Sequence, residues 1–351
     1  MNAILIVRLS AIGDIVMASP VAEALSKSYP DASILWLTQP DCAALVQDHP
    51  YIDEVIIWPR GQWQAQWRNR QLVSLVKSVY QFRKQLRSRK IDMAIDLQGL
   101  LKSGILTWLS GAKKKIGLGS KEGSQWLMNR VISRDSGNTE LIGSEYRWLC
   151  QQIGLKNLPW QMTVGASEQA SKRANELITQ TINTPYVVIC PFTTRPQKHW
   201  SDTGWSALTS KLTPTGLKVV MLGGPGDVEY ARRLCQNSEI INLVGETKLT
   251  EAALIIQQAK ALIGVDTGLT HMGHMHAIPT VALFGSTRPY LHTDTHNGKV
   301  IYHALHCSPC KRNPTCGGRF QCLTDISPDH IMAQLKPLLD NSSPLTMKNI
   351  E

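Results

Sequence analysis

The sequence lacks any long apolar run. No stretch of its 351 residues approaches the roughly 18 consecutive apolar residues that a membrane-spanning helix needs. The amino-terminal stretch Met1–Val7 is apolar but short, and no basic segment precedes it, so it is typical of a strand rather than of a secretion signal. We therefore expect a cytoplasmic protein, whose eight cysteines do not form a disulfide framework.

Three motifs that mark common nucleotide and metal enzymes are also missing. No Walker A sequence is present, which argues against a P-loop NTPase, and no His-Glu-x-x-His pattern supports a zinc hydrolase. The first apolar strand is followed by a single glycine, Gly13, instead of the glycine-rich fingerprint that binds dinucleotides.

Charged residues are scarce but unbalanced. They form 18% of the chain, and 37 Lys and Arg face 27 Asp and Glu, which gives a net charge of +10. With 43% hydrophobic residues the chain is globular rather than disordered. The positive surplus favours an anionic partner: nucleic acid, a phosphate-bearing ligand or an acidic membrane. Trp63 and Trp67 lie among arginines at residues 60–70, and further basic clusters lie at 84–90 and 113–115. This composition suits a lipid or nucleic-acid contact, although most charge runs are only solvated faces.

Apolar runs alternate with helical patterns in both halves of the chain. Predicted strands lie at residues 3–7, 33–37, 54–58, 92–96, 186–190, 218–222, 240–243, 261–265 and 280–284, and the predicted helices include those at about 15–28, 72–89 and 328–339. This alternation predicts an α/β protein with two doubly wound, Rossmann-like halves that face each other across a cleft. We expect domains at residues 1–165 and 166–326, and a final helix within 327–351 that packs back on the first half. In such sheets ligands bind beyond the carboxyl ends of the strands, so the loops after the strands are the candidates for function.

Two of these loops contain acidic residues that have two interpretations each. Asp14 ends the loop Ser10–Asp14 at a helix start, where it is either a capping residue or a general base. Asp227 ends the turn Gly223–Asp227, where it either contacts a ribose or caps the following helix.

Two further loops suit an anionic ligand. The loop Pro191–Trp200 supplies hydroxyls and cations, among which Lys198 could neutralise a leaving diphosphate; ordinary surface cations are the alternative. In Gly264–His271 the backbone N–H groups at a helix start form an anion site, and Asp266 fits better beside a sugar than beside a bare phosphate. His271 could equally be a core histidine.

Cys307, Cys310, Cys316 and Cys322 have the spacing C-x2-C-x5-C-x5-C. Four thiols so close in sequence could bind zinc or an iron–sulfur cluster, but the spacing matches no common structural pattern. A reduced cluster without metal is equally compatible, and we assign no metal.

The stretches RLSAIGD (8–14), DLQGLLKSG (96–104), PFTTRPQKHW (191–200), LGGPGD (222–227) and GVDTGLTH (264–271) together resemble glycosyltransferase family 9, the ADP-heptose:lipopolysaccharide heptosyltransferases. The resemblance covers nearly the whole chain. It implies a GT-B fold, with the acceptor bound by the amino-terminal domain and the donor by the carboxyl-terminal one. It also implies an inverting, metal-independent transfer of heptose from ADP-heptose, a substrate rather than a cofactor, to the lipopolysaccharide inner core at the cytoplasmic membrane face.

The resemblance also implies roles for single residues. Asp14 becomes the base and Lys198 the residue that offsets charge on the leaving ADP. On the donor side we expect Thr193, Thr194, Asp227, Asp266, Thr267, Gly268, Leu269 and His271; on the acceptor side we expect Ser10, Gly13, Arg60, Gln98 and Lys102. We expect a monomer that associates peripherally with the anionic inner membrane and binds no nucleic acid.

Three alternatives remain open. RLSAIGD and DLQGLLKSG are closer to heptosyltransferase I, with Kdo2-lipid A as acceptor, whereas the cysteine-containing segment is similar to other members, so a type II or III acceptor is the nearest alternative. A basic nucleic-acid-binding α/β protein would use the same positive surface. A protein that binds a nucleotide sugar without turnover would use the same donor loops.

Overall fold

The computed structural model of the protein describes residues 1–120, 122–134, 139–155, 160–236, 239–310 and 312–341. The chain divides into two compact units. Unit 1 contains Met1–Thr139 and Gly143–Ala166, and unit 2 contains Glu140–Ile142 and the chain from Ser167 onward. The predicted boundary after residue 165 falls beside this division. In the described ranges we find no helix long and apolar enough to cross a bilayer.

Unit 1 is built on a parallel sheet with the strand order β3-β2-β1-β4-β5-β6 in its described part. Its strands are β1 (Ala3–Val7), β2 (Ser33–Thr38), β3 (Glu54–Ile57), β4 (Met93–Asp96), β5 (Lys114–Leu118) and β6 (Arg130–Ile132). Its helices are α1 (Ile12–Ala18), α2 (Pro20–Ser28), α3 (Pro40–Val46), α4 (Arg60–Arg68), α5 (Leu72–Ser88), α6 (Leu101–Leu109) and α7 (Ser144–Gln152).

Unit 2 is built on a second parallel sheet, with the described order β12-β11-β10-β7-β8-β9. Its strands are β7 (Tyr186–Cys190), β8 (Lys218–Met221), β9 (Ile240–Asn242), β10 (Ala261–Val265), β11 (Thr280–Phe284) and β12 (Gly298–Tyr302). Its helices are α8 (Glu168–Glu176), α9 (Asp202–Leu212), α10 (Val228–Cys235), α11 (Leu249–Gln257), α12 (Gly268–Met275), α13 (Gln321–Thr324) and α14 (Pro328–Asn341).

The central strands are buried along their whole length. Every residue of β1, β7, β10 and β11 is inaccessible to solvent or nearly so. Parallel strands covered by helices on both faces need apolar side chains in both directions, which is why these segments read as continuous apolar runs without alternation. The predicted α/β class and the predicted central strands are therefore confirmed.

Both sheets have the same topology. In each, strand order runs outward in one direction, returns to the first strand and continues on its other side. The reversal lies between β1 and β4 in unit 1 and between β7 and β10 in unit 2. Ligands of doubly wound sheets bind at this reversal, beyond the carboxyl ends of the strands.

Some elements differ from the prediction. The helix predicted from about residue 15 to residue 28 is two helices, because Pro20 starts α2 instead of continuing α1. Helix α4 and the strands β5, β6 and β12 were not predicted, since their short and mixed sequences carry no clear period.

The final helix, α14, is part of unit 2. Its side chains Ile331, Leu335 and Leu338 are buried in one cluster with Trp200 and Trp205. The prediction that this helix packs on the first half is thereby corrected: the period of a helix reveals that it has an apolar face, but not which sheet that face covers. The predicted tail at 342–351 lies outside the described residues.

We expect Leu335→Ala to lower the free energy of unfolding by about 2–5 kcal/mol, because the substitution leaves a cavity beneath α14. Lys336→Ala, on the exposed side of the same helix, should change it by less than about 0.5 kcal/mol. Urea denaturation followed by tryptophan fluorescence measures both. Equal effects of the two substitutions would contradict the placement of α14 in the core.

Candidate active site

In unit 1, a buried arginine holds Asp14 at the carboxyl end of β1. Arg8 follows β1 directly, and its Nη2 lies 2.5 Å from Oδ2 of Asp14. Arg8 is also fixed by donation from Nη1 to the carbonyl of Leu97 (2.9 Å) and by the ring of Tyr146, 5.7 Å away. Burial alone would lower the pKa of Arg8, but the Asp14 carboxylate reverses this and raises it, so the guanidinium stays charged.

Asp14 combines a structural contact with an accessible carboxylate. It lies in the first turn of α1, where Oδ2 accepts a hydrogen bond from the backbone N–H of Ala11 (3.2 Å). Ala11 is the N-cap residue, so Asp14 closes the turn from inside the helix. The side chain is 38% exposed, and both of these contacts use Oδ2. The carboxylate is thus oriented by Arg8 while its other oxygen can reach a ligand.

The loop after β4 is organised by a buried aspartate that the sequence analysis did not assign. Asp96 accepts hydrogen bonds from the N–H groups of Gln98 (2.9 Å) and Gly99 (3.0 Å) and from Oγ of Ser103 (2.9 Å). Burial raises the pKa of Asp96, and these donors oppose the rise. Gln98, predicted to bind acceptor, accepts through Oε1 from Leu9 N–H (2.8 Å) and so joins this loop to the loop after β1.

The other predicted acceptor residues gather at the same end of the sheet. Arg60 donates to Oε1 of Gln39 (3.3 Å), and the pKa of Lys102 is lowered by burial and by the charges of Arg60 and Arg8. Arg8, Arg60 and Lys102 are therefore close enough for the two arginines to lower the pKa of the lysine. Ser10 is half-buried and Gly13 is buried in the first turn of α1. The accessible Asp14 carboxylate therefore lies at a sheet edge where Arg8, Arg60 and Lys102 also gather.

In unit 2, Asp266 lies at the centre of a buried polar network at the carboxyl end of β10. Its Oδ2 is 2.6 Å from Nζ of Lys198 and accepts a hydrogen bond from Oγ1 of Thr287 (2.6 Å). Its Oδ1 is 3.5 Å from Nε2 of His271, whose Nδ1 is 2.8 Å from the hydroxyl of Tyr290. The network brings together Lys198, Asp266 and His271, which the sequence analysis had assigned to one site.

Asp266 is an ionised group despite its burial. Burial by itself would raise its pKa, but the neighbouring His271 and Lys198 lower it well below the usual range. Lys198 is an ion-pair partner and not a solvated loop cation: its side chain is only 16% exposed. Since an ammonium has three N–H donors, contact with Asp266 leaves donors for a second anion.

The amino terminus of α12 presents backbone donors beside this network. Thr267 is its N-cap residue, and Gly268 and Leu269 begin the first turn, where N–H groups have no partner within the helix. Thr270 donates from Oγ1 to the carbonyl of Val265 (2.7 Å) and fixes the turn. A Cβ at Gly264 would lie 2.1 Å from that hydroxyl, so only glycine allows the approach.

The remaining predicted donor residues lie on the neighbouring loops. Thr193 is half-buried, and its carbonyl is 2.9 Å from Nε2 of His199; Thr194 is exposed. Oδ2 of Asp227 accepts from the N–H of Gly224 (2.9 Å). The carboxylate of Asp227 therefore closes the glycine-rich turn. Asp227 is also the N-cap residue of α10, but in the described structure its side chain makes no capping hydrogen bond to that helix.

The four clustered cysteines do not form an evident metal centre. Cys307, Cys310 and Cys316 are partly accessible and Cys322 is buried. Among the described residues, which omit Lys311, no group of three or more His, Cys, Asp and Glu side chains is arranged to hold a metal ion.

Sequence reasoning missed several residues that hold the site together. Arg8, Asp96, Tyr146, Thr287 and Tyr290 all contact a predicted site residue or its loop. A charged residue at the end of an apolar strand was the available signal for Arg8 and Asp96. Tyr146, Thr287 and Tyr290 come from distant parts of the sequence and had no signal.

His274, on the buried side of α12, makes the folded protein sensitive to acid. Neither ring nitrogen has a hydrogen-bond partner in the described structure, and burial lowers the pKa of His274 from 6.5 to about 3. Below pH 6.5 His274 is therefore protonated in the unfolded chain but stays neutral in the folded chain. The free energy of unfolding consequently decreases as the pH falls.

We expect this histidine to cost about 2 kcal/mol of unfolding free energy between pH 7 and pH 5. His274→Gln should remove that part of the pH dependence, as measured by urea denaturation across the range. His296→Gln, which changes an exposed ring, should leave the wild-type pH dependence in place. An unchanged slope in His274→Gln would refute the assignment.

These features define a class of protein. Two sheets with Rossmann strand order, an accessible carboxylate at one sheet edge and an anion-binding helix terminus with a buried lysine at the other are suited to group transfer between a nucleotide-linked donor and an acceptor. The chain belongs to glycosyltransferase family 9 (heptosyltransferase), whose family model matches residues 79–319. It is therefore a glycosyltransferase.

Individual heptosyltransferases are similar to this chain in sequence and in structure. The chain is 26% identical to lipopolysaccharide heptosyltransferase 1 of Pseudomonas aeruginosa and 27% identical to lipopolysaccharide heptosyltransferase 2 of Salmonella typhimurium, in each case over 96% of this chain and 98% of the relative. The solved structure of E. coli ADP-heptose lps heptosyltransferase II matches with a TM-score of 0.74 at 23% identity, over 97% of this chain and 98% of that one. This likeness confirms the GT-B fold class.

Proposed function

We propose that the protein transfers L-glycero-D-manno-heptose from ADP-heptose to the lipopolysaccharide inner core with inversion at the anomeric carbon. The observation that carries this proposal is the accessible Asp14 carboxylate, oriented by the buried Arg8 at the strand-order reversal of unit 1. The names of the relatives, lipopolysaccharide heptosyltransferases 1 and 2 and ADP-heptose lps heptosyltransferase II, support the substrate class.

On the acceptor side, Asp14 acts as the general base. The carboxylate oxygen that does not contact Arg8 takes the proton of the acceptor hydroxyl. At the same time the hydroxyl oxygen bonds to the anomeric carbon. The bond from that carbon to the diphosphate oxygen breaks in the same step, and ADP leaves with the electron pair. Arg8 holds the carboxylate in place, while Arg60 and Lys102 attract an acceptor rich in carboxylates and phosphates.

On the donor side, the amino terminus of α12 and Lys198 offset the charge that develops on ADP. The N–H groups of Gly268 and Leu269 and the ammonium of Lys198 are donors placed before the reaction begins. Asp266 orients Lys198 and accepts a hydrogen bond from a hydroxyl of the heptose. These donors carry the leaving-group charge, so the proposed reaction uses ADP-heptose as a substrate and no metal or cofactor.

Further donor contacts complete the proposal. Thr193 and Thr194 hydrogen-bond the diphosphate, Thr267 and His271 contact the diphosphate and sugar, and Asp227 contacts the ribose through the oxygen that does not close its turn. Support comes from their common position on the loops after β7, β8 and β10, around the reversal of the second sheet.

Two acceptors are compatible with the chain. Kdo2-lipid A is the acceptor that the motifs RLSAIGD and DLQGLLKSG favour. Heptosyl-Kdo2-lipid A is the second candidate, because the cysteine-containing segment is similar to other family members and the type 2 relative is as close as the type 1 relative. Either acceptor is lipid-linked, so we place the enzyme, as a monomer, at the cytoplasmic face of the inner membrane.

The proposal is tested by incubating the protein with ADP-heptose and each acceptor and weighing the lipid products by mass spectrometry. We expect a gain of one heptose on one of the two acceptors. No gain on either acceptor would overturn the proposed reaction. ADP-heptose binding without any product would instead identify a nucleotide-sugar-binding protein without turnover.

Asp14→Asn should lower the transfer rate by about 10²–10⁴-fold, because the amide cannot accept the proton. Donor affinity, measured by calorimetry with ADP, should stay within about twofold because the donor site does not use Asp14. Asp41→Asn, which changes an exposed acid in the first turn of α3, is the matched control and should keep normal transfer. Near-normal transfer by Asp14→Asn would rule out the base.

Lys198→Ala should weaken ADP binding and lower the turnover number together, by about tenfold or more each, since it removes a buried charge-assisted contact. Lys198→Met, which keeps the length of the side chain, separates the loss of charge from the loss of packing. Lys172→Ala, an exposed lysine of α8, is the control. If Lys198→Met bound ADP and turned over normally, the phosphate role of Lys198 would be wrong.

A further inference from the structure

The positive charge of the chain is concentrated in one segment. Residues 60–90 contain nine Lys and Arg and no Asp or Glu, against a net charge of +10 for the whole sequence. The nine are Arg60, Arg68, Arg70, Lys77, Arg83, Lys84, Arg87, Arg89 and Lys90. Apart from Arg60, the proposed reaction uses none of them. Of these cations, Arg89 forms an ion pair with Glu54, outside the segment.

This segment folds as a pair of helices, α4 and α5, which we call the α4–α5 hairpin (Arg60–Ser88). A chain of aromatic rings attaches it to unit 1: Trp63 packs edge-on against Trp58 (6.0 Å) and against Phe82 (5.5 Å). Gln66 Nε2 donates to Oγ of Ser78 (3.0 Å) and links the two helices to each other. The hairpin is thus a fixed element rather than a solvated loop.

The hairpin exposes a group of large apolar side chains. Exposed fractions are 68% for Trp67, 53% for Leu72, 85% for Val73, 68% for Val76 and 63% for Tyr80. Val73, Val76 and Tyr80 are spaced by three and four residues, so they share one face of α5. Apolar side chains grouped in this way on a surface mark a site of interaction.

Basic side chains lie among these apolar ones. Lys77 and Lys84 follow Val73 by four and eleven residues, which places them on the same face of α5. An open cleft of about 990 Å³ is lined by Trp58 and by residues of both helices, among them Trp67, Arg68 and Leu75. A helix with apolar and basic side chains on one face, and no acid, matches the composition of helices that lie in the headgroup region of a bilayer.

We propose that the α4–α5 hairpin docks the protein on an anionic phospholipid bilayer. Val73, Val76 and Tyr80 enter the headgroup region, and the lysines of α5 contact lipid phosphates. The exposed valines favour a lipid over a nucleic acid, because they offer neither hydrogen bonds nor a ring on which a base could stack. The inference rests on the proposed function in one respect: a lipid-linked acceptor is presented by such a bilayer.

The test uses the full chain and vesicles with neither donor nor acceptor. We expect co-sedimentation with vesicles of phosphatidylcholine mixed with phosphatidylglycerol, weaker binding to phosphatidylcholine alone, and a loss of binding as salt is raised. Because no sugar substrate is present, this measurement is independent of heptose transfer. A chain that transfers heptose to a detergent-dispersed acceptor but ignores vesicles would overturn only the docking surface.

Paired variants locate the surface. Lys77→Glu/Lys84→Glu should weaken vesicle binding by about tenfold or more, since each basic residue near an anionic surface adds substantially to affinity. Lys172→Glu/Lys336→Glu changes the net charge equally on exposed helices of unit 2 and should retain binding. Val73→Asn/Val76→Asn keeps the charge and should still reduce binding, because it removes the inserted side chains.

Circular dichroism of each variant verifies that the fold is intact. Equal losses in the two charge-reversed variants would overturn the proposal, because they would show a dependence on net charge instead of on the hairpin. Binding to duplex DNA or to RNA that the hairpin variants abolish, in a protein that does not bind vesicles, would also overturn it and would assign the basic segment to a nucleic acid.

Discussion

The reversal of strand order in each sheet is the constraint on which the site depends. The strands β1 and β4 are neighbours, but the connections that follow them lie on opposite faces of the first sheet, and the same holds for β7 and β10 in the second sheet. The loops at these strand ends therefore diverge, and a crevice that can accept a ligand lies between them. Arg8 follows β1 and Asp96 ends β4, whereas Lys198 and Asp266 follow β7 and β10. The fold thus determines where polar side chains can approach a ligand without breaking a helix or strand.

Buried charge is what makes these strand ends chemically useful. Arg8 and Asp266 are each withdrawn from water, and each is compensated by a partner of opposite sign. Such pairs add little net stability, because desolvation offsets much of the attraction. Their effect is to fix orientation: Arg8 aims the accessible Asp14, and Asp266 aims Lys198. The proposed reaction needs a base on one substrate and a cation on the other, and each has one buried partner of this kind.

The elements best predicted from the sequence are those in which one physical signal dominates. Continuous apolar runs predicted β1, β7 and β10, because a doubly covered strand has no polar face. The helical periodicity over residues 72–89 predicted α5 with the correct first residue and with an end one residue too late. It failed for α14, whose apolar face was recognised but assigned to the wrong half. A periodic pattern contains no information about the partner of the face that it describes.

The candidate site was predicted in part for the same reason. The sequence by itself determined which loops carry chemistry, since acidic and basic residues and small turn residues directly after apolar strands are visible in one dimension. Only the tertiary structure decided what those residues do to one another: that Lys198 pairs with Asp266, that Arg8 is buried against Asp14, and that Tyr290 supports His271. Lys198 and Asp266 are far apart in the chain, and the strength of all three contacts depends on burial. Burial is a property of the packed sheet and its helices, not of any local stretch of sequence.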